Sequence, residues 1–263
     1  METSMSFLFY YREKNPIEFS AERFISAYEK SYFLRENDNY FIPGISINSC
    51  FVEKQIQSIL DNGISSENDV YFLFAWKIGG INHKDSQKNK VIQYKDSWDK
   101  GATVEERYFK SSRDNFSSFC KDICQLSLDY KSIKSWDDST MLTVVDEVEK
   151  AAEKYKVSLG PVYILTIIYF ITRGESPIFD RFAYSAVKSL YYSKLRHADF
   201  TPEDVWYECP SGKKPKDILK VINDYKWYLE QVFGKSNIAR DIDRSLWVYG
   251  HPKVISCKKP NNL

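Results

Sequence analysis

The stretch from Pro161 to Arg173 constrains this chain more than any other. Val162, Ile164, Leu165, Ile167, Ile168, Phe170 and Ile171 leave a helix here without a polar face, so it must be covered on all sides. It is too short to cross a bilayer, and the cover therefore has to come from the rest of the chain. Gly160-Pro161 favours a helix start, because proline at the first helical position loses no N–H that would have had a partner. Gly174 is the expected stop, and Pro177 forbids continuation.

A second helix is expected a few residues on. In Gly174-Glu175-Ser176-Pro177-Ile178-Phe179-Asp180-Arg181-Phe182-Ala183-Tyr184, Asp180 reads as its N-cap. Ala183, Val187, Leu190 and Tyr191 follow at core-face spacing. As a cap, Asp180 is worth about 1 kcal/mol. The same placement can hold a carboxylate still at the mouth of a cleft, where a helix N-terminus stabilises negative charge. The residues alone leave both roles open.

Three stretches carry a resemblance. Val157-Ser158-Leu159-Gly160-Pro161-Val162, the apolar helix and Pro177-Ile178-Phe179-Asp180 resemble the helix-hairpin-helix-GPD superfamily of DNA glycosylases. More closely, the chain resembles a bacterial group described as 8-oxoguanine DNA glycosylase-like. Val70-Tyr71-Phe72-Leu73-Phe74-Ala75-Trp76-Lys77-Ile78-Gly79 and Arg240-Asp241-Ile242-Asp243-Arg244-Ser245-Leu246-Trp247-Val248-Tyr249-Gly250-His251 support that narrower likeness. The resemblance implies an all-α fold of two packed helical lobes, with a helix-hairpin-helix core over about residues 139–195 and a cleft beside Asp180.

It also implies a reaction. The family's catalytic aspartate falls on Asp180, twenty residues after Gly160. Such a carboxylate stabilises the sugar cation that forms as a base departs, the charge logic of glycoside hydrolysis. Tyr163 and Phe182 are the aromatic candidates for stacking on a flipped base. Gly160 would approach a DNA phosphate through its backbone N–H.

Two departures narrow this expectation. The nucleophilic lysine of bifunctional members would fall near Val162, and Pro161, Val162 and Tyr163 offer no amine for a Schiff base. The hairpin also lacks the family's second glycine, which weakens a backbone grip on phosphate. The implied enzyme is a monofunctional N-glycosylase. The opposing reading is a non-catalytic module that keeps the fold to bind DNA or a protein.

Charge bears on the partner. The net charge is only +1, but residues 181–263 hold 15 Lys/Arg against 9 Asp/Glu. Lys213, Lys214 and Lys216 cluster in one loop and are the candidate phosphate contacts, against a reading as plain solvated surface. Arg240, Asp241, Asp243 and Arg244 read as a salt-bridge network. Lys77, beside Trp76, reads as a lysine snorkelling past a helix end.

No cofactor and no metal is expected. The five cysteines, at 50, 120, 124, 209 and 257, form no CxxC pair and read as reduced thiols. Cys120 and Cys124 lie one helical turn apart, without histidines near enough to complete a zinc site. The compact four-cysteine loop of an iron–sulfur cluster is absent. No run of 18 apolar residues suggests a membrane span, and Met1 to Ser6 lacks the basic start of a signal peptide, which points to the cytoplasm.

Helices are expected at about 20–33, 49–62, 67–78, 103–130, 139–155, 161–173, 180–195, 216–233 and 238–249, with Gly79, Gly234 and Gly250 as stops. One short extended piece is expected at 91–94. The expected division is an N-terminal helical lobe at 1–90, the glycosylase-like core at 91–200, and C-terminal helices at 201–263 packing back on it.

Overall fold

The computed structural model describes residues 8–10, 16–33, 49–77, 81–83, 92–94, 109–198, 200–205, 214–236 and 238–251. The fold is mostly helical. Its elements are β1 (Leu8–Tyr10), β2 (Pro16–Glu18), α1 (Ala21–Phe33), α2 (Ser49–Asn62), α3 (Glu67–Lys77), β3 (Ile81–His83), β4 (Ile92–Tyr94), α4 (Arg113–Asp129), α5 (Asp138–Lys154), α6 (Pro161–Ile171), α7 (Arg181–Arg196), a 3₁₀ turn (Pro202–Val205), α8 (Pro215–Phe233) and α9 (Arg240–Gly250). The strands form two separate antiparallel ribbons, β1 with β2 and β3 with β4. The expected extended piece at 91–94 belongs to the second ribbon; the other three strands have no counterpart in the sequence reading.

The chain divides into two compact units, each assembled from separated stretches rather than from consecutive ones. One comprises residues 35–176 and 210–220; the other comprises 1–34, 177–209 and 221–263.

In the first unit α6 packs against α3, α4 and α5. Every residue from Ile164 to Ile171 is buried, as an all-apolar helix requires. Its one polar member in that run besides Tyr169, Thr166, returns its hydroxyl to the Val162 carbonyl at 2.8 Å, so nothing polar is stranded. Phe74, Phe109, Phe116 and Phe119 form the aromatic centre, with Phe74 and Phe109 centroids 4.8 Å apart. Side chains set the helix starts: Ser112 accepts from the Asn115 N–H ahead of α4, and Asp137 accepts from the Thr140 N–H at 2.7 Å ahead of α5. The helix expected over 103–130 is therefore shorter at its start, beginning at Arg113; residues 101–108 lie outside the described residues.

Helices α5 and α6 end the same way. After α5, Lys156 takes a left-handed φ of 54°, its N–H reaching the Glu153 carbonyl and that of Val157 the Ala152 carbonyl. After α6, Arg173 takes φ 52°, with its N–H on Phe170 and that of Gly174 on Tyr169. These are paired Schellman closures. They stop α6 two residues before the expected Arg173, with Gly174 (φ 86°) in the second position past the cap.

In the second unit α1 and α7 both pack on α9. Phe24, Tyr28 and Tyr249 interlock at this centre with centroids 5.1–5.5 Å apart. The sequence pattern puts Gly250 just past the end of α9. It is instead the last residue of the helix, and its role is close approach: a Cβ there would lie 2.0 Å from the Phe182 carbonyl oxygen.

Candidate functional site

Asp180 stands where the sequence places it, in extended conformation (φ −139°, ψ 135°) immediately before the sixteen-residue α7. Its Oδ1 accepts the Phe182 N–H at 2.9 Å, and its carbonyl accepts the Tyr184 N–H at 2.8 Å. The carboxylate is thereby held by the first turn of the helix it caps. The residue is half-buried, between buried Phe179 and Ala183.

Tyr225 of α8 lies against both flanks of this cap. Its ring centroid is 6.1 Å from that of Phe179 and 5.4 Å from that of Tyr184. It is among the largest fully buried side chains, and its hydroxyl has no hydrogen-bond partner among the described residues. Burial pushes the phenol well above its usual range; the charges of Asp243 and then Asp180 push the same way, and Arg240 opposes them. Tyr225 thus stays a neutral phenol within electrostatic reach of Asp180. Nothing in the sequence singles it out, because it occupies an ordinary core-face position of an amphipathic helix.

Arg240 and Asp243 form an ion pair one turn apart on α9, with both side chains almost buried; Arg244 pairs with Glu29 of α1. Three of the four residues of the expected salt-bridge network thus form ion pairs, in two separate pairs, while the Asp241 carboxylate accepts the Ile242 N–H at 2.7 Å. Only the Arg244–Glu29 pair ties α9 to α1; Arg240–Asp243 lies within α9, and removing one of its partners would leave an uncompensated, nearly buried charge.

The two aromatic candidates fall in different units. Phe182 packs on His251 with centroids 4.1 Å apart and edge-on to Trp247, while the Arg181 guanidinium lies 5.0 Å from its ring. Tyr163 meets Phe74 and Phe109 edge-on at 5.5 and 5.1 Å. Each is half-buried and has ring neighbours that account for its position. Gly160 is the residue before α6, with φ −84°, and a Cβ there would meet only Tyr163, at an ordinary van der Waals distance. The short connection from α5 to α6 is tied down by the Ser158 N–H on the Phe109 carbonyl at 2.8 Å.

Of the three lysines, Lys213 lies outside the described residues. Lys214 and Lys216 are exposed at the start of α8, where the Lys214 carbonyl accepts the Asp217 and Ile218 N–H groups. Cations at a helix N-terminus gain nothing from its dipole, so helix stability does not explain them. Lys77 is the last residue of α3, its Nζ 5.4 Å from the Trp76 centroid, as a snorkelling lysine would be.

Other chemistry-bearing groups are accounted for by packing. Cys120 is buried, and burial pushes the half-buried Cys124 thiol up to about 11, with Asp69 and Glu67 adding to the shift. Among the described residues no group of three His, Cys, Asp or Glu is placed to hold a metal ion, and no helix is long and apolar enough to cross a membrane. A groove of about 330 Å³ between α4 and α5 is lined by both signs of charge. Its walls are already paired, Lys154 with Asp122 at 2.9 Å and Tyr130 with Glu147 at 2.8 Å.

Comparison of the chain with protein-family models, with curated proteins and with solved structures gave no match.

Proposed function

We propose that this chain is a DNA-directed N-glycosylase-like protein, monofunctional in its chemistry, with Asp180 as the catalytic carboxylate. The observation that carries this reading is Asp180 itself: a half-buried carboxylate, held by the Phe182 N–H at the start of a sixteen-residue helix, beside a neutral buried phenol. The turn from α5 into α6, with Pro161 at the first helical position and Gly160 before it, supports the hairpin part of the reading.

The chemistry follows from charge. Cleavage of the glycosidic bond sends its electron pair to the departing base, which takes up a proton, and leaves positive charge on the sugar. A fixed carboxylate stabilises that charge without reorganising. Water then adds to C1′ and gives up a proton. With Pro161, Val162 and Tyr163 after the hairpin, no amine forms a covalent intermediate there. Extrusion of the base is a necessary first step, because the bond is out of reach inside a duplex. Lys214 and Lys216 are the described candidates for phosphate contact.

A non-catalytic binding module is the second reading, favoured by the complete N-cap that Asp180 makes through its Oδ1. A base-release assay on duplexes bearing a panel of damaged and modified bases separates the two. Release by the wild type supports the enzyme; binding without release from any substrate supports the module.

A further inference from the structure

The outer face of α7 carries chemistry that neither its cap nor its core uses. The helix contains Arg181, Lys188, Lys194 and Arg196 and no acidic residue. Lys188, Tyr192, Leu195 and Arg196 recur at i, i+4, i+7 and i+8 and share one stripe, while Ala183, Ala186, Val187 and Leu190 bury the other side. Leu195 is 57% exposed, and Trp227, from α8 in the same unit, is 44% exposed.

These rings are held in place. Trp227 has its centroid 4.9 Å from Tyr191 and 5.0 Å from Tyr228, both edge-on. The Arg196 guanidinium lies 5.7 Å from the rings of both Tyr192 and Phe200. Burial, with Tyr192 as the next contribution, pushes the Tyr228 phenol up to about 12, so this cluster adds no negative charge at neutral pH. Asp224 and Glu230 are the carboxylates one turn either side of Trp227, set against Lys188 and Arg196 on the stripe and Lys226 next to Trp227 in sequence; Lys194 is engaged by the Gln231 carbonyl at 2.8 Å.

We propose that this face binds single-stranded nucleic acid, with Trp227 as a stacking platform for an unpaired base and Lys188 and Arg196 on phosphates. Ordered aromatic rings set among cations suit unpaired bases, each of which offers a flat face whatever its identity. A duplex keeps those faces stacked away. The centre of a protein-docking surface is depleted in lysine, whereas here Lys188 lies within the stripe. The face is separate from the Asp180 reading, since the stripe begins about two turns along α7 from the residue that caps it.

Fluorescence anisotropy of labelled (dT)₂₀ with the full chain at low salt tests it. The wild type binds, and Trp227→Ala weakens binding about tenfold, about 1.4 kcal/mol. Trp227→Phe keeps most of the affinity, and Lys188→Ala lowers the magnitude of the log–log salt slope by about 0.7. Trp227→Ala should lower the thermal midpoint modestly through loss of its two edge-on ring contacts, and Trp227→Phe, which keeps a ring there, controls for that loss. Asp180→Asn leaves (dT)₂₀ binding intact, so failure of the base-release reading is distinguishable from failure here. Absence of (dT)₂₀ binding, or binding indifferent to Trp227→Ala, overturns the proposal. So does self-association by sedimentation that Trp227→Ala abolishes while (dT)₂₀ binding is unchanged, which would assign the face to a second copy.

Discussion

Gly250 and Phe182 meet so closely that a single methyl group does not fit between them: a Cβ on Gly250 would lie 2.0 Å from the Phe182 carbonyl oxygen and 2.6 Å from its carbonyl carbon. The obstacle is backbone, in the first turn of α7, and cannot rotate away as a side chain could. The last turn of α9 is thereby brought against the turn that Asp180 caps.

Gly250→Ala should therefore destabilise the chain by about 3 kcal/mol, because α7 and α9 must separate to admit the methyl. Urea denaturation measures this. A midpoint unchanged from wild type would show that the two helices do not approach as described.

The closures of α5 and α6 give predictions of opposite sign. Lys156 is exposed and sits at φ 54°, where a side chain costs energy and glycine does not. Lys156→Gly should stabilise by about 0.5–1 kcal/mol, offset in part by the greater freedom of glycine when unfolded. Gly174→Ala should destabilise by about 1 kcal/mol through its φ of 86°, its space being adequate at 3.7 Å from Tyr169. Thermal melts of the two variants moving the same way would contradict this account of both turns.

These residues also show what local sequence can and cannot carry. The burial of α6 is legible because its periodicity vanishes, and Asp180 is legible because a capping residue precedes a 3.6-residue apolar pattern. The end of α6 falls two residues early because Arg173, and not a glycine, takes the first left-handed position. Gly250 looks like a stop, as glycine after an amphipathic run usually does; its actual constraint is a backbone about seventy residues away in sequence, which no local pattern encodes. Tyr225 is invisible for the same reason. Its importance comes from Phe179, Tyr184 and the charges of Asp180 and Asp243, all brought to it by the fold.

Acid stability should depend in part on Asp137. The Thr140 N–H holds its carboxyl below the ordinary value of 3.8, so the cap contributes fully above that value and is lost as pH falls through the lower folded one. Asp137→Asn keeps a capping oxygen but does not titrate. The drop in thermal midpoint from pH 6 to pH 3 should be smaller in the variant than in wild type. An equal drop would mean that this cap does not contribute to the acid limb.

Lys214 and Lys216 test the nucleic-acid partner on duplex DNA. Replacing both with Ala should reduce the magnitude of the log–log salt slope by up to about 0.9 for each phosphate no longer neutralised, and nearly equally for different sequences. An unchanged slope would remove these two residues from the interface.

Asp180→Asn is the most direct measurement of the central claim, because asparagine keeps the size and the capping oxygen and removes only the charge. Single-turnover base release from whichever modified duplex the wild type processes should fall about 10²–10³-fold or more, with the thermal midpoint nearly unchanged. Undiminished release by Asp180→Asn, or a large loss of stability with release intact, would contradict the assignment and leave Asp180 as the cap of α7 alone.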